Sequence, residues 1–308
     1  MNSRSLVHVA LVLGLVTAFP PLAAGDVTYE TAVRITDSLG AGTAEINQTI
    51  RTSVTATARR EDVTGSRRMT TRRGRQYDRP GRYARIELLD GAAVYDLDLD
   101  AGIYTRTSFA EVARERERTL AEAEAAFRGV TADAPAGRPV TITRASERVT
   151  VNGVACSPIL LETFREAGAG PNGEAPTGGR GRFAMSLELC MADDAESGGV
   201  VRATEERVRE LMGDSEAYLA RLLDVLARRR DLFAVFDDLH YRLERERRNL
   251  GGLPVRWVQH MTGPQRGSAD AVLFRLEATV KTLHVGPVEA SEFTVPASLR
   301  LAERRREK

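Results

Sequence analysis

Residues 94–109 read VYDLDLDAGIYTRTSF, with Asp96, Asp98 and Asp100 alternating against Tyr95, Leu97 and Leu99. That two-residue period belongs to a strand with one apolar and one wet face. A calcium loop is the competing reading. Such a loop needs oxygens at positions 1, 3 and 5, glycine at 6 and a bidentate glutamate at 12. Counted from Asp96, position 6 is Ala101 and position 12 is Thr107, so the glycine comes one residue late and the last ligand is missing. The stretch is therefore a hairpin, with Asp100-Ala101-Gly102 as a three-residue loop and Gly102 in its left-handed position. Ser108-Phe109-Ala110-Glu111 then forms a capping box that opens a helix running to about Phe127.

The same alternation extends outward. Ala84, Ile86 and Leu88 alternate with Arg85 and Glu87, and residues 46–58 (INQTIRTSVTATA) are rich in β-branched side chains. Further strands are expected over 140–142, 149–151, 154–164 and 183–191, the last two flanking a Gly/Pro-rich loop at 166–181. A helical region covers about 204–249. There Val208, Met212, Leu219, Leu222, Leu226, Phe233, Phe236 and Leu243 recur at steps of three, four or seven. Gly213-Asp214-Ser215 divides it into two helices, and Gly251-Gly252 stops it. Strands at 255–261, 271–283 and 293–295 follow, then a frayed basic tail over 301–308. These elements predict an α+β chain with one domain at 26–300 and a helical insertion at about 204–249.

Composition narrows the function classes. Lys+Arg (44) and Asp+Glu (43) nearly cancel over 308 residues, so no global field favours a nucleic acid. Arg4, the apolar run Leu6 to Phe19, Pro20-Pro21 and the small residues Ala23-Ala24-Gly25 make a secretory pattern. Residues 1–25 read as a signal peptide cleaved before Asp26 or one residue earlier. The run falls short of the ~20 residues that span a bilayer, so no transmembrane helix is expected in the mature chain. The protein is expected to be exported, to the periplasm or as a secreted protein. In that setting Cys156 and Cys190 pair as a disulfide, the alternative being two separate buried thiols.

No constellation carries chemistry. Gly213-Asp214-Ser215-Glu216-Ala217 lacks the last glycine and the preceding strand of a serine-nucleophile elbow. His240, His260 and His284 have no metal-ligand or triad spacing. Gly178-Gly179-Arg180-Gly181 leads into a strand, where it cannot cradle phosphate. Neither a cofactor, nor a metal, nor a catalytic residue is expected, and the chain reads as a non-enzyme. Arginines cluster at Arg67-Arg68, Arg72-Arg73, Arg75, Arg79 and Arg82, and again at Arg228 to Arg230. They form a solvated face or a peripheral contact with anionic headgroups.

A run of short motifs carries a resemblance. Tyr104-Thr105 leads to Ser108–Glu111; Gly153-Val154-Ala155-Cys156 and Cys190-Met191-Ala192-Asp193 follow; Gly252-Leu253-Pro254-Val255 and Glu292-Phe293-Thr294-Val295-Pro296 close the series. Over residues 28–298 the chain resembles a family of bacterial envelope proteins related to the outer-membrane lipoprotein carrier and sorting proteins. The resemblance implies a strongly curved antiparallel sheet, an incomplete barrel, with helices covering its open face and acyl chains held inside. On that expectation Ile86, Leu88, Tyr95, Leu97, Trp257 and Phe274 are candidate lining residues, plain core packing being the alternative for each. Two functions follow: a binding protein sheltering a lipid or lipoprotein acyl chain, or a structural protein docking an envelope partner. The first predicts an apolar cavity. The second predicts an exposed apolar stripe along Leu219 to Leu243.

Overall fold

The computed structural model describes residues 25–39, 42–71, 76–130, 139–166, 182–193, 199–229, 231–265 and 268–302. The expected signal peptide up to residue 24, the body of the Gly/Pro-rich loop, Arg72, Arg73, Arg75, Arg230 and the tail beyond 302 lie outside the described residues. The N-terminal strands are β1 (Val27–Asp37), β2 (Gly42–Val54), β3 (Ala58–Thr71), β4 (Gln76–Leu88), β5 (Ala93–Asp98) and β6 (Ile103–Ser108). Helix α1 (Phe109–Ala126) precedes β7 (Thr141–Arg144), β8 (Val149–Val151), β9 (Val154–Glu166) and β10 (Arg182–Ala192). Helices α2 (Val200–Leu211), α3 (Glu216–Arg228) and α4 (Leu232–Arg248) come next, then β11 (Leu253–Gln265), β12 (Ser268–Val285) and β13 (Arg300–Leu301). The fold is α+β. One sheet runs β13-β6-β5-β4-β3-β2-β1-β12-β11-β10-β9-β7, with β8 also on β9; it is antiparallel except at β13–β6 and does not close.

Register explains how the sheet and helices meet, because directly paired residues project to the same face. Val94, Glu87, Arg59, Val54 and Val27 form one row across β5 to β1. On the same side of β1, Val33 continues through Ala278, Trp257 and Leu189 to Ile159. Val94 clusters with Phe109 of α1 and Val208 of α2. Val27 and Val54 cluster with Val200 and Val201 of α2, and Ile159 and Leu189 with Val235, Leu239 and Leu243 of α4. One face thus meets helices from β5 to β9, so the sheet curls around them. Salt bridges tie the helices together: Arg221 of α3 to Glu117 and Glu124 of α1, and Arg248 of α4 to Asp214.

The Ser108 cap formed as read, and of Asp214 and Ser215, the two candidates for the second cap, it is Ser215 that serves. The Ser108 hydroxyl accepts from the Glu111 N–H while the Glu111 carboxylate accepts from the Ser108 N–H. Ser215 caps α3 by accepting from the Tyr218 N–H. Helix α2 ends in a Schellman motif on Gly213 (φ 73°), the Asp214 N–H reaching the Arg209 carbonyl. Gly252 (φ 91°) is obligatory, since a Cβ there would lie 1.8 Å from the Ala192 carbonyl oxygen.

Three expectations need correction. The helical region holds three helices, starting at Val200; the additional break falls before Asp231, whose carboxylate caps α4 through the Ala234 N–H. The β5–β6 loop has four residues, 99–102, because Asp98 both ends the strand pairing and accepts from the Ala101 N–H; Gly102 does take the left-handed position (φ 70°). The expected strand at 293–295 is a 3₁₀ turn, Ala290–Phe293. Its Glu292 carbonyl is taken by the Arg60 guanidinium, and Phe293 plugs the outer face of β3–β5. Sequence reading also passed over Asn152-Gly153, both at positive φ, which joins β8 to β9 as a two-residue hairpin.

Candidate functional site

The six residues proposed to line a cavity are divided between two places. Ile86, Leu88, Tyr95 and Leu97 pack with Ala58, Ala84 and Phe293 on the outer face, under the C-terminal segment that carries Val288, Val295 and Leu299. Trp257 and Phe274 lie on the inner face against the α4 cluster, Phe274 edge-on to Phe236 at 4.9 Å. The structure does not bring the two groups together. Alternation identifies a buried face but not what buries it.

Among the apolar clusters between the inner face and the helices lie buried charges. Arg59 bonds Glu61 and the buried Glu87, which Arg85 also engages. Burial opposes the Arg59 charge, yet Glu61, Tyr29 and Glu87 hold its proton above the ordinary value. Burial pushes the neighbouring Tyr29 phenol up to about 12. At the other end, Arg165 of β9 reaches the C-terminus of α3. It donates to the carbonyls of Leu226 (3.1 Å), Ala227 (2.9 Å) and Arg229 (2.8 Å), and lies 3.7 Å from the Asp238 carboxylate of α4. The oxygens left over at a helix end are thereby satisfied by a strand.

His240 of α4 is pressed against the sheet, stacked on Phe236 with its Nδ1 3.0 Å from the Gln259 amide nitrogen. Burial lowers its pKa, with Glu244, Asp237 and Gln259 opposing. The folded protein therefore leaves His240 neutral where the unfolded chain, with a value near 6.5, takes up a proton. Its stability contribution is full above about pH 6.5 and falls as pH drops through the window below, by at most about 1.4 kcal/mol per pH unit. Asp237 acts oppositely in the window above its ordinary value, because burial raises its pKa. Comparing the pH slope of unfolding free energy between wild type and His240→Gln isolates the histidine. The expected result is a shallower acid decline in the variant; equal slopes would refute it.

Among the described residues one open feature is a trough of about 440 Å³ on the inner face, beyond the helices; a larger but more polar groove of about 660 Å³ lies across β1 to β3 and β12. The floor of the trough is the row Val63, Tyr83, Asp98 and Ile103 across β3 to β6, with Tyr83 52% exposed. Glu61, Arg85 and Asp96 edge it, and Arg85 pairs with Asp96. Of the six candidates only Leu97 borders it. Val63, Tyr83 and Ile103 were missed; their signal was apolar side chains interrupting otherwise charged strand faces. A second groove of about 460 Å³ lies between β7, β8 and the strands bearing the disulfide, bordered by Arg144, Val149, Leu160 and Arg256. The aspartate run has ordinary partners: Asp96 on Arg85, Asp98 on the Ala101 N–H, and Asp100 on Arg82. Among the described residues no group of three or more His, Cys, Asp or Glu could hold a metal ion.

Fold and site together define an α+β protein whose open, curled sheet encloses a helical bundle and leaves an apolar trough beside it. No protein-family model matches the sequence, and a search of curated proteins returns no match. Among solved structures the chain is similar to a beta-barrel-like protein of domain of unknown function DUF1849 from Brucella abortus. That similarity has 11% identity and a TM-score of 0.23, covering 84% of this chain and 98% of the other. Cys156 and Cys190 form a disulfide, which suggests a location outside the cytosol. No helix among the described residues is long and apolar enough to cross a membrane.

Proposed function

We propose that this chain is a non-enzymatic binding protein of the cell envelope, of the lipoprotein-carrier kind, that shelters an apolar chain in the β3–β6 trough. The trough itself carries the reading: its volume is within the range of ligand sites, and its floor is open and apolar at every position but Asp98. Tyr83 leaves half its surface in water, an arrangement that a bound chain would relieve. The secretory pattern of residues 1–25 and the disulfide support placement in the periplasm. The rival reading, a partner docked on the helices, is weakened because Leu219, Leu223, Leu226, Leu239 and Leu243 are all buried inside the protein.

Native mass spectrometry of mature protein purified from its own envelope, followed by organic extraction, tests the proposal. The expected result is a bound species with one or more acyl chains, reduced at least about tenfold in occupancy by Val63→Asp, a loss of about 1.4 kcal/mol in binding. A bare polypeptide mass would overturn it.

A further inference from the structure

Beyond the trough floor the strand register leads, two rows on, to a pair of arginines. On the inner face, successive rows across β2, β3 and β4 are Ile50–Val63–Tyr83, then Gln48–Gly65–Gly81, then Ile46–Arg67–Arg79. Arg67 and Arg79 are therefore direct cross-strand neighbours. Both are exposed, and neither has a carboxylate partner among the described residues. Like charges placed directly opposite destabilise a strand pair, so this row costs stability in the free protein. The other arginines of the ribbon differ: Arg68 and Arg82 point to the outer face, where Asp78 and Asp100 pair with them.

The row between floor and arginines has two glycines, each overlain by a neighbouring side chain, Gln48 at Gly65 and Tyr83 at Gly81. A Cβ on Gly81 would lie 2.6 Å from the Tyr83 ring, which therefore lies over Gly81 on the arginine side of its own position. A Cβ on Gly65 would lie 2.2 Å from the Asn47 carbonyl oxygen. From Val63 to the arginine row, about 13 Å away at strand spacing, the face is formed by the Tyr83 ring and by Gln48, whose stem lies beside Gly65. The opposite end of the trough is lined by Glu61 and Asp96, paired with Arg59 and Arg85.

We propose that the trough and the Arg67–Arg79 pair form one site for an anionic amphiphile, an acyl chain ending in a carboxylate or phosphate. This rests on the trough reading above and names its ligand class and orientation. The chain lies over Val63, Tyr83 and Ile103. The head meets two guanidinium forks, which suit the oxygens of a carboxylate or phosphate. At the other end Glu61 and Asp96 already engage Arg59 and Arg85, so the guanidiniums of Arg67 and Arg79 set the direction of the head.

Equilibrium titration with a fluorescent 18-carbon fatty acid, its methyl ester and inorganic phosphate, at fixed ionic strength, tests this. The acid is expected to bind about tenfold more tightly than the ester, equivalent to about 1.4 kcal/mol. In Arg67→Gln/Arg79→Gln the acid falls to the affinity of the ester, while ester binding is unchanged. Both positions are exposed, and circular dichroism checks that the variant folds. Millimolar inorganic phosphate is expected not to displace the acid. Equal binding of acid and ester by the wild type, or a preference that survives the double substitution, would overturn the proposal. So would displacement by phosphate alone, which would mark an anion site independent of the chain. If the ester binds and Val63→Asp abolishes it, but no head preference exists, the trough reading stands and only this inference fails. If neither lipid binds, both fail.

Discussion

Arg165→Met is expected to lower the unfolding free energy by about 3–5 kcal/mol, the range for breaking a buried charge pair from one side. The guanidinium is 5% exposed and its partner Asp238 is 1% exposed. Burial pulls the Arg165 pKa down and Asp238 opposes the shift. Methionine matches much of the volume but supplies no donor. The carbonyls of Leu226, Ala227 and Arg229 each lose the Arg165 hydrogen bond, and Asp238 is left with Arg242 at 3.0 Å. The Leu226 carbonyl keeps the Arg229 N–H, but a buried acceptor left without a donor costs about 1–3 kcal/mol, and the losses at Ala227 and Arg229 make the effect larger than for Asp238→Asn, where Arg165 keeps its three carbonyls. Trp257, the single tryptophan, packs against the same cluster and reports the local change. Denaturant titration followed by its fluorescence gives the number. A loss below about 1 kcal/mol would mean that water replaces the guanidinium, and the link between β9 and α3 would not be structural.

Replacing Cys156 and Cys190 together by alanine is expected to cost about 3–4 kcal/mol. The bond closes a sequence separation of 34 residues, and the chain-entropy relation gives that magnitude for such a loop. Both cysteines are buried in the cluster that holds Val27, Val54 and Val255, so lost packing adds to the effect. The bond also joins β9 to β10 close to where β10 runs toward α2. Urea unfolding of the oxidised protein against the double variant measures it. A difference under about 1 kcal/mol would show that the reduced chain is already held compact, leaving the bond little to restrain.

Local chemistry made much of the fold legible. The Ser108–Glu111 reciprocal cap and the Ser215 cap are short-range arrangements, so their residue types suffice to place them. Alternation placed the strands because its period is a property of extended backbone. The break at Asp231 was readable in kind, yet the apolar steps of seven from Leu226 to Phe233 and from Phe236 to Leu243 masked it. The 3₁₀ turn at Phe293 was not readable. Its backbone is captured by Arg60, a residue more than two hundred positions earlier.

The candidate site was hardly legible. Ile86 and Leu97 met the pattern for inward-facing residues, and they are buried, but under the C-terminal segment. Val63 and Tyr83 broke the pattern on the wet face and became the trough floor. By itself the sequence determined most of the strands, the helix that begins at Ser108 and its cap, and favoured the pairing of its two cysteines, because each depends on residue type, short spacing or the mere count of thiols. Only the tertiary structure decided which sheet face the helices occupy, what the C-terminal segment covers, and that Arg67 and Arg79 share a row with an apolar trough beside them. Those follow from register between strands, and a shift of one residue would send every side chain to the other face.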